Sequence, residues 1–283
     1  MTTDTAIAPG RPDAADLVAL RDRQQRVWSS GDYNRIAALT VPISETLVAQ
    51  AEIHPGARVL DVATGTGHAA LAAARQGARA SGVDYVPHLV AIARARAAAE
   101  QLDLDLTDGT AEHLTYPDGS FDVVLSALGV MFSADHRRAA AELVRVTKPG
   151  GRIALASWTP GGFVGGMLGI VGRHVPPPAA AQSPLRWGTT EGVVDLLGPR
   201  VTDVRSTGHA LTLRFADAAT FADLFLAYYG PAHSAAATLS PDARAALRAD
   251  LIAHAVASAR PRASRGHLVL DWEYLIVTAE RRR

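Results

Sequence analysis

The chain has 283 residues, 48% apolar and 20% charged, a balance that predicts a folded globule rather than a disordered chain. Its 28 basic and 28 acidic side chains cancel, so the total charge gives no footprint for duplex nucleic acid or an anionic membrane. With no cysteine, a thiolate nucleophile, a disulfide framework and a cysteine-based zinc site are excluded.

The lysine of TKPGG, Lys148, does not sit in the Gly-Lys-Ser/Thr run of a P-loop, and no Gly-x-Ser-x-Gly elbow occurs. The opening MTTDTAIAPGRPD reads as neither a secretory signal nor a transit peptide. The apolar run from Val123 to Phe132 is far short of the roughly 20 residues a membrane helix needs. A soluble, cytoplasmic protein is expected.

Residues 1–15 read as a disordered tail and 16–56 as an N-terminal helical segment or lid. Within it, Asp16 to Ser29 and Pro42 to Ile53 have helical patterns. Strands and helices then alternate through a core predicted over 57–158. Strand RVLDVA (Arg58 to Ala63) leads to helix HAALAAARQG, ended by Gly77; strand ARASGVDY (Ala78 to Tyr85) leads to a helix opened by Pro87. A third strand falls in DLDLTDG and a fourth, without polar alternation, over Phe121 to Gly129. A helix over Asp135 to Val146, a KPGG turn and strand Arg152 to Trp158 follow. This alternation predicts an α/β fold, a parallel sheet wound with helices on both faces. Residues 159–283 read as the remainder of the same domain: a Gly- and Pro-rich flap (159–189), a short helix in TTEGVVDLLG, a sixth strand from Val201, a helical cap (217–260), and a closing strand.

The informative motif is DVATGTG, Asp61 to Gly67, between the first strand and its helix, where a doubly wound sheet places its ligand loop. Gly65-x-Gly67-x-x-Ala70, with Asp84 19 residues after Gly65, also satisfies the dinucleotide fingerprint. Asp61 opposes that reading. A carboxylate beside the loop repels a pyrophosphate and attracts an ammonium.

RVLDVATGTGHAALAAA resembles the first motif of the class I S-adenosylmethionine (SAM)-dependent methyltransferases, acid-x-Gly-x-Gly-x-Gly, with Ala63 at the first glycine. SGVDYVPHLVAIARARA, TDGTAEHLTYPDGSFDVVLSALGVMF and LVRVTKPGGRIALASW resemble the later segments of that family, in order, from Arg58 to Trp158. The nearest flavour is its ubiquinone/menaquinone-type small-molecule branch. The resemblance implies a Rossmann-like, doubly wound, seven-stranded, mostly parallel sheet with N-terminal helices and a helical cap. It implies SAM as cofactor. Asp61 would lie near the ammonium, with Ala63, Thr64, Gly65 and Gly67 around the head group and Asp84 on the ribose. Tyr85 would pack on the adenine, with Thr110 and Ala111 at its edge. Thr110 stands where the family often has an aspartate. Ser126 and Ala127 would floor the site; Trp28 and Tyr33 would fold over it.

Methyl transfer needs alignment above all, and a base only for a poorly acidic acceptor. His136, His174 and His233 are the base candidates, each competing with a structural role; for His136 that role is a first-turn position capped by Ser133. Tyr228, Tyr229, Trp158 and Trp187 are candidates for an aromatic acceptor pocket. No metal-ligand spacing is present. The fourth strand lacks the Asn/Asp-Pro-Pro-Tyr/Phe segment of enzymes that methylate nucleobase amines. The expected activity is therefore methyl transfer to a small molecule, quinone-like or a natural product, by a monomer or homodimer without nucleic-acid or membrane partners. The alternatives are a methyltransferase-fold protein that holds SAM structurally and promotes a cyclisation or rearrangement, and an NAD(P)-dependent oxidoreductase.

Overall fold

The computed structural model describes residues 13–260 and 267–283. Of the expected disordered tail, 1–12 lie outside the described residues; Asp13 instead caps the first helix, its carboxylate accepting from the Asp16 amide. Helix α1 (Ala14–Trp28), short α2 (Tyr33–Ala37) and α3 (Val41–Gln50) precede the sheet. The core then runs β1 (Arg58–Val62), α4 (His68–Arg75), β2 (Arg79–Asp84), α5 (Pro87–Ala99), β3 (Leu104–Asp108), β4 (Phe121–Ala127), α6 (His136–Val146) and β5 (Thr147–Trp158). The second half supplies α7 (Phe163–His174), α8 (Thr190–Leu197), β6 (Val201–Phe215), α9 (Ala218–Tyr228), α10 (Gly230–Thr238), α11 (Pro241–Ala257) and β7 (Leu268–Arg281).

The sheet has seven strands in the order β3-β2-β1-β4-β5-β7-β6. β1 to β5 are parallel, and β7 lies antiparallel between β5 and β6. The strand order reverses between β1 and β4, so a crevice opens past their carboxyl ends. The central strands are buried on both faces, which is why β1 and β4 read as apolar runs. α3 sends Ile43, Leu47 and Val48, all fully buried, toward the sheet. Side chains of this size contribute about 1.5–3 kcal/mol each on burial.

Local structure departs from the sequence reading in three further places. The Gly- and Pro-rich stretch read as a flap contains α7, whose Phe163, Val164, Met167 and Ile170 are buried. An apolar face found cover there, and packing outweighed the glycines' low helix propensity. α6 is capped by Asp135, which accepts from the Arg138 amide, and not by Ser133. KPGG interrupts the pairing of one strand rather than preceding it: Thr147 pairs with Phe121, and the register resumes at Arg152 opposite Val123.

Candidate functional site

The crevice at the switch point is a cleft of about 880 Å³, open solvent at its mouth included. Asp61, next to last in β1, is 1% exposed. One carboxylate oxygen, Oδ2, accepts from the Thr64 hydroxyl at 2.6 Å and the Ala70 amide at 3.2 Å. The other, Oδ1, is buried without a partner. Burial pushes the carboxyl up to about 7, against those two hydrogen bonds. Asp84, the last residue of β2, accepts from the Gly65 amide at 2.8 Å and the Val86 amide at 2.9 Å. Burial lifts it to about 6, with the two amides opposing. Two buried carboxyls 23 positions apart therefore face one cleft.

The loop between them is held in an uncommon shape. Ala63 has φ +56°, a left-handed conformation that costs a Cβ-bearing residue about 1–2 kcal/mol. Across from it, a Cβ on Gly129 would come within 2.6 Å of the Ala63 Cβ and carbonyl oxygen, so only glycine lets the β4 turn pass. Leu128, beside it, is also left-handed, φ +60°. Strain of this kind collects at ligand sites.

Of the predicted cofactor residues, Asp61, Ala63, Thr64, Gly65, Asp84, Tyr85, Thr110, Ala111, Ala127 and Tyr33 all line the cleft. Two do not. Gly67 opens α4 at φ +85°, and a Cβ there would come within 2.8 Å of the Ala93 Cβ, so it serves the packing of α4 on α5. Ser126 is fully buried, donating to the Val62 carbonyl at 2.7 Å and accepting from the Val130 amide at 3.0 Å; it ties the ends of β1 and β4 together.

The three histidines lie elsewhere. His136 is buried edge-on to Trp187, 5.8 Å between ring centres, with neither ring nitrogen hydrogen-bonded. Burial, and secondarily Arg186, lowers it to about 4. His174 ends α7 and bonds Asp250 of α11 at 2.9 Å. His233 sits in α10 and lines neither the cleft nor the cavity beside it.

The sequence reading missed Glu112. It lines the cleft, accepts from the Ala134 amide at 2.6 Å and the Asp135 amide at 3.1 Å, and approaches Arg21 of α1 to 3.7 Å. Its bond from the Thr110 hydroxyl, 3.3 Å, joins it to the position where the family aspartate is replaced. That two-residue offset was the available signal. α1 is tied over the cleft by Gln25, whose amide donates to the Tyr85 carbonyl. α2 is tied by Asn34, which accepts from Arg96, itself bonded to His68. Tyr33 is thereby set against the carboxylates, and burial, then the Asp84 charge, pushes its hydroxyl to about 12.

A second, tight cavity lies behind the cleft and shares Trp28, Tyr33, Thr40, Leu128 and Phe132 with it. Of the aromatic candidates, Trp158 and Tyr229 line this chamber. Tyr228 instead stacks under Arg35, 4.7 Å to the ring centre, and Trp187 is core. Among the described residues no group of three or more metal-ligating side chains occurs, and no helix is long and apolar enough to cross a membrane.

Comparison with known proteins agrees with this geometry. A family profile described as "Methyltransferase domain" matches residues 60–155. An uncharacterized protein of Mycobacterium tuberculosis, Rv1405c, is 40% identical over the full length of both chains. A demethylmenaquinone methyltransferase of Deinococcus radiodurans is 38% identical over 52% of this chain and 64% of its own. The solved YcgJ protein from Bacillus subtilis superposes with a TM-score of 0.59 over 85% of this chain and 98% of its own, at 19% identity, which shows a shared fold. The chain belongs to the class I SAM-dependent methyltransferases.

Proposed function

We propose that the cleft binds SAM and that the protein methylates a small-molecule acceptor. The observation that carries this is the unpartnered Asp61 Oδ1, a buried acceptor that calls for a cationic donor. A pyrophosphate on this loop would meet the Asp61 carboxyl and gain nothing. The residues fit SAM group by group. Asp61 takes the ammonium, and the strained Ala63 turn lets the backbone approach the head group. Asp84 keeps lone pairs for the ribose hydroxyls beside its two amide bonds. Tyr85 and Ala111 flank the adenine, Thr110 and Glu112 meet its edge, and Tyr33 covers the ribose end.

When bound, SAM supplies a methyl group whose bond to sulfur breaks as the acceptor's electron pair takes the carbon and sulfur keeps the bonding pair. The protein's part is alignment and exclusion of water. Trp28 joins the two cavities and packs edge-on to Tyr33, Phe132 and Tyr229 at 4.8–5.7 Å between ring centres, which shields the seam. None of the three candidate histidines reaches it, so the acceptor brings its own nucleophile and loses its proton to water.

Titration with SAM and NAD side by side tests the reading, followed by transfer of label from methyl-labelled SAM to a panel of small acceptors. SAM binding with label transfer is expected. NAD binding without SAM binding overturns the cofactor assignment. Tight SAM binding without transfer to any acceptor favours a structural role for SAM.

A further inference from the structure

Arg96 of α5 is half-buried, and its hydrogen bonds go to uncharged groups rather than to a carboxylate. Withdrawing a guanidinium from water without a counter-charge carries a cost, so its partners are informative. Nη2 donates to the Asn34 amide oxygen on α2 at 2.7 Å. Nη1 lies against the His68 ring at the start of α4, 2.8 and 2.7 Å from its two nitrogens, with the Thr66 carbonyl at a long 3.5 Å. Arginine only donates, so the ring nitrogen it bonds is an acceptor and His68 is neutral. Burial, and then Arg96 itself, lower that histidine to about 4. Thr66, His68 and Tyr33, the neighbour of Asn34, all line the cleft, and Arg96 does not.

Both partners are segments that need outside support. α2 has five residues and no side-chain cap, and a helix that short does not hold by propensity alone. Its Ile36 and Ala37 are buried and its Arg35 lies over the Tyr228 ring, but among the described residues the bond from Arg96 is the only side-chain hydrogen bond α2 makes. The ligand loop is left-handed at Ala63, Gly65 and Gly67, and α4 begins without a side-chain cap. A planar fork of donors serves both segments at once, which the single ammonium of a lysine does not. We infer that Arg96 is a positioning residue that joins α2 to the ligand loop, so that Tyr33 and the loop are set against each other before a ligand arrives. Less binding energy is then spent on ordering them. The inference deepens the SAM reading and rests on it only for the identity of the ligand; the coupling of α2 to the loop belongs to the ligand-free protein.

The test reads amide hydrogen exchange in the ligand-free, full-length protein and, separately, SAM affinity by calorimetry. Arg96→Met should speed exchange about tenfold over 32–40 and over 63–69, the scale of one or two hydrogen bonds, with β4 unchanged. Asn34→Ala alters α2 alone, yet it should speed exchange in both segments. Each variant should weaken SAM binding about tenfold, and the double variant should be no weaker than Arg96→Met within about twofold, because both remove one link. Asn34→Asp keeps the acceptor oxygen and should keep both protection and SAM affinity within about twofold. If Arg96→Met does not fold, the two Asn34 variants decide. The proposal is overturned by a loop whose exchange ignores Asn34→Ala, by a rise in exchange that includes β4 equally, by additive losses in the double variant, or by Asn34→Asp behaving as Asn34→Ala. Failure of SAM to bind wild type, with exchange behaving as stated, sinks the cofactor reading and leaves the coupling standing.

Discussion

The cleft and the chamber share a wall and differ in what lines them. The cleft is built on β1 and β2, and its specificity lies in charge: two buried carboxyls, backbone amides and a strained turn. The chamber is closed by side chains from α1, β5, α7 and β7, with Tyr229 after α9, and carries no charge. A cofactor common to many enzymes can be read by a local, repeated loop. Apolar packing has no such local code and needs parts from across the chain. That division predicts that perturbations of charge act on the cleft and leave the packing of the chamber alone.

The largest effects should fall on Asp61. Asp61→Asn keeps the shape but removes the charge, and SAM affinity should drop by roughly 1.5–3 kcal/mol or more, the scale of charge-assisted bonds. Asp84→Ala should cost a similar 1.5–3 kcal/mol. Calorimetry checks both. Unchanged SAM affinity in either folded variant breaks the assignment.

The effect of pH comes next. Asp61 and Asp84 are raised to about 7 and 6, so below those values protons compete with a cationic ligand. SAM affinity should rise from pH 5 to pH 8, by at most about tenfold per pH unit for each carboxyl below its pKa. The stability sign is opposite. Carboxyls that hold protons longer folded than unfolded make the ligand-free fold lose stability as pH rises from about 4 toward 7, and SAM should reverse that loss.

His136 gives a smaller and separate effect. Its folded pKa is depressed to about 4, so the unfolded chain takes the proton first and stability falls as pH drops from about 6.5 toward 4. His136→Phe should flatten that limb of a thermal-unfolding series, with methyl transfer kept. Loss of transfer at normal SAM affinity would return His136 to the reaction. The smallest effect belongs to Ala63→Gly. Relief of the left-handed strain, offset by the added freedom of the unfolded chain, should stabilise by less than about 1 kcal/mol. A denaturant midpoint that falls instead would show that the Ala63 methyl packs productively against Gly129.

Much of this was legible from residue order alone. The alternation of short apolar strands and helices gave the sheet. DVATGTG and GVDY marked Asp61 and Asp84, because an open parallel sheet binds at strand ends and both residues stand there by chain position. Glu112 escaped because its role depends on the α6 amides, which fold back onto it from 22 residues away. The histidines were candidates by residue type, and type says nothing of location; packing put one in the core, one in a hydrogen bond to Asp250 and one in a helix away from the cleft. Ser126 and Gly67 sit beside the site and hold its frame rather than its wall.

The sequence by itself determined the ligand loop and its two aspartates, since periodicity, glycine spacing and strand ends are local properties of neighbouring residues. Only the tertiary structure decided the apolar chamber. Trp28, Trp158, Tyr229 and Trp272 have no local pattern in common, and what unites them is burial around one void, which exists only once the two halves of the chain have packed.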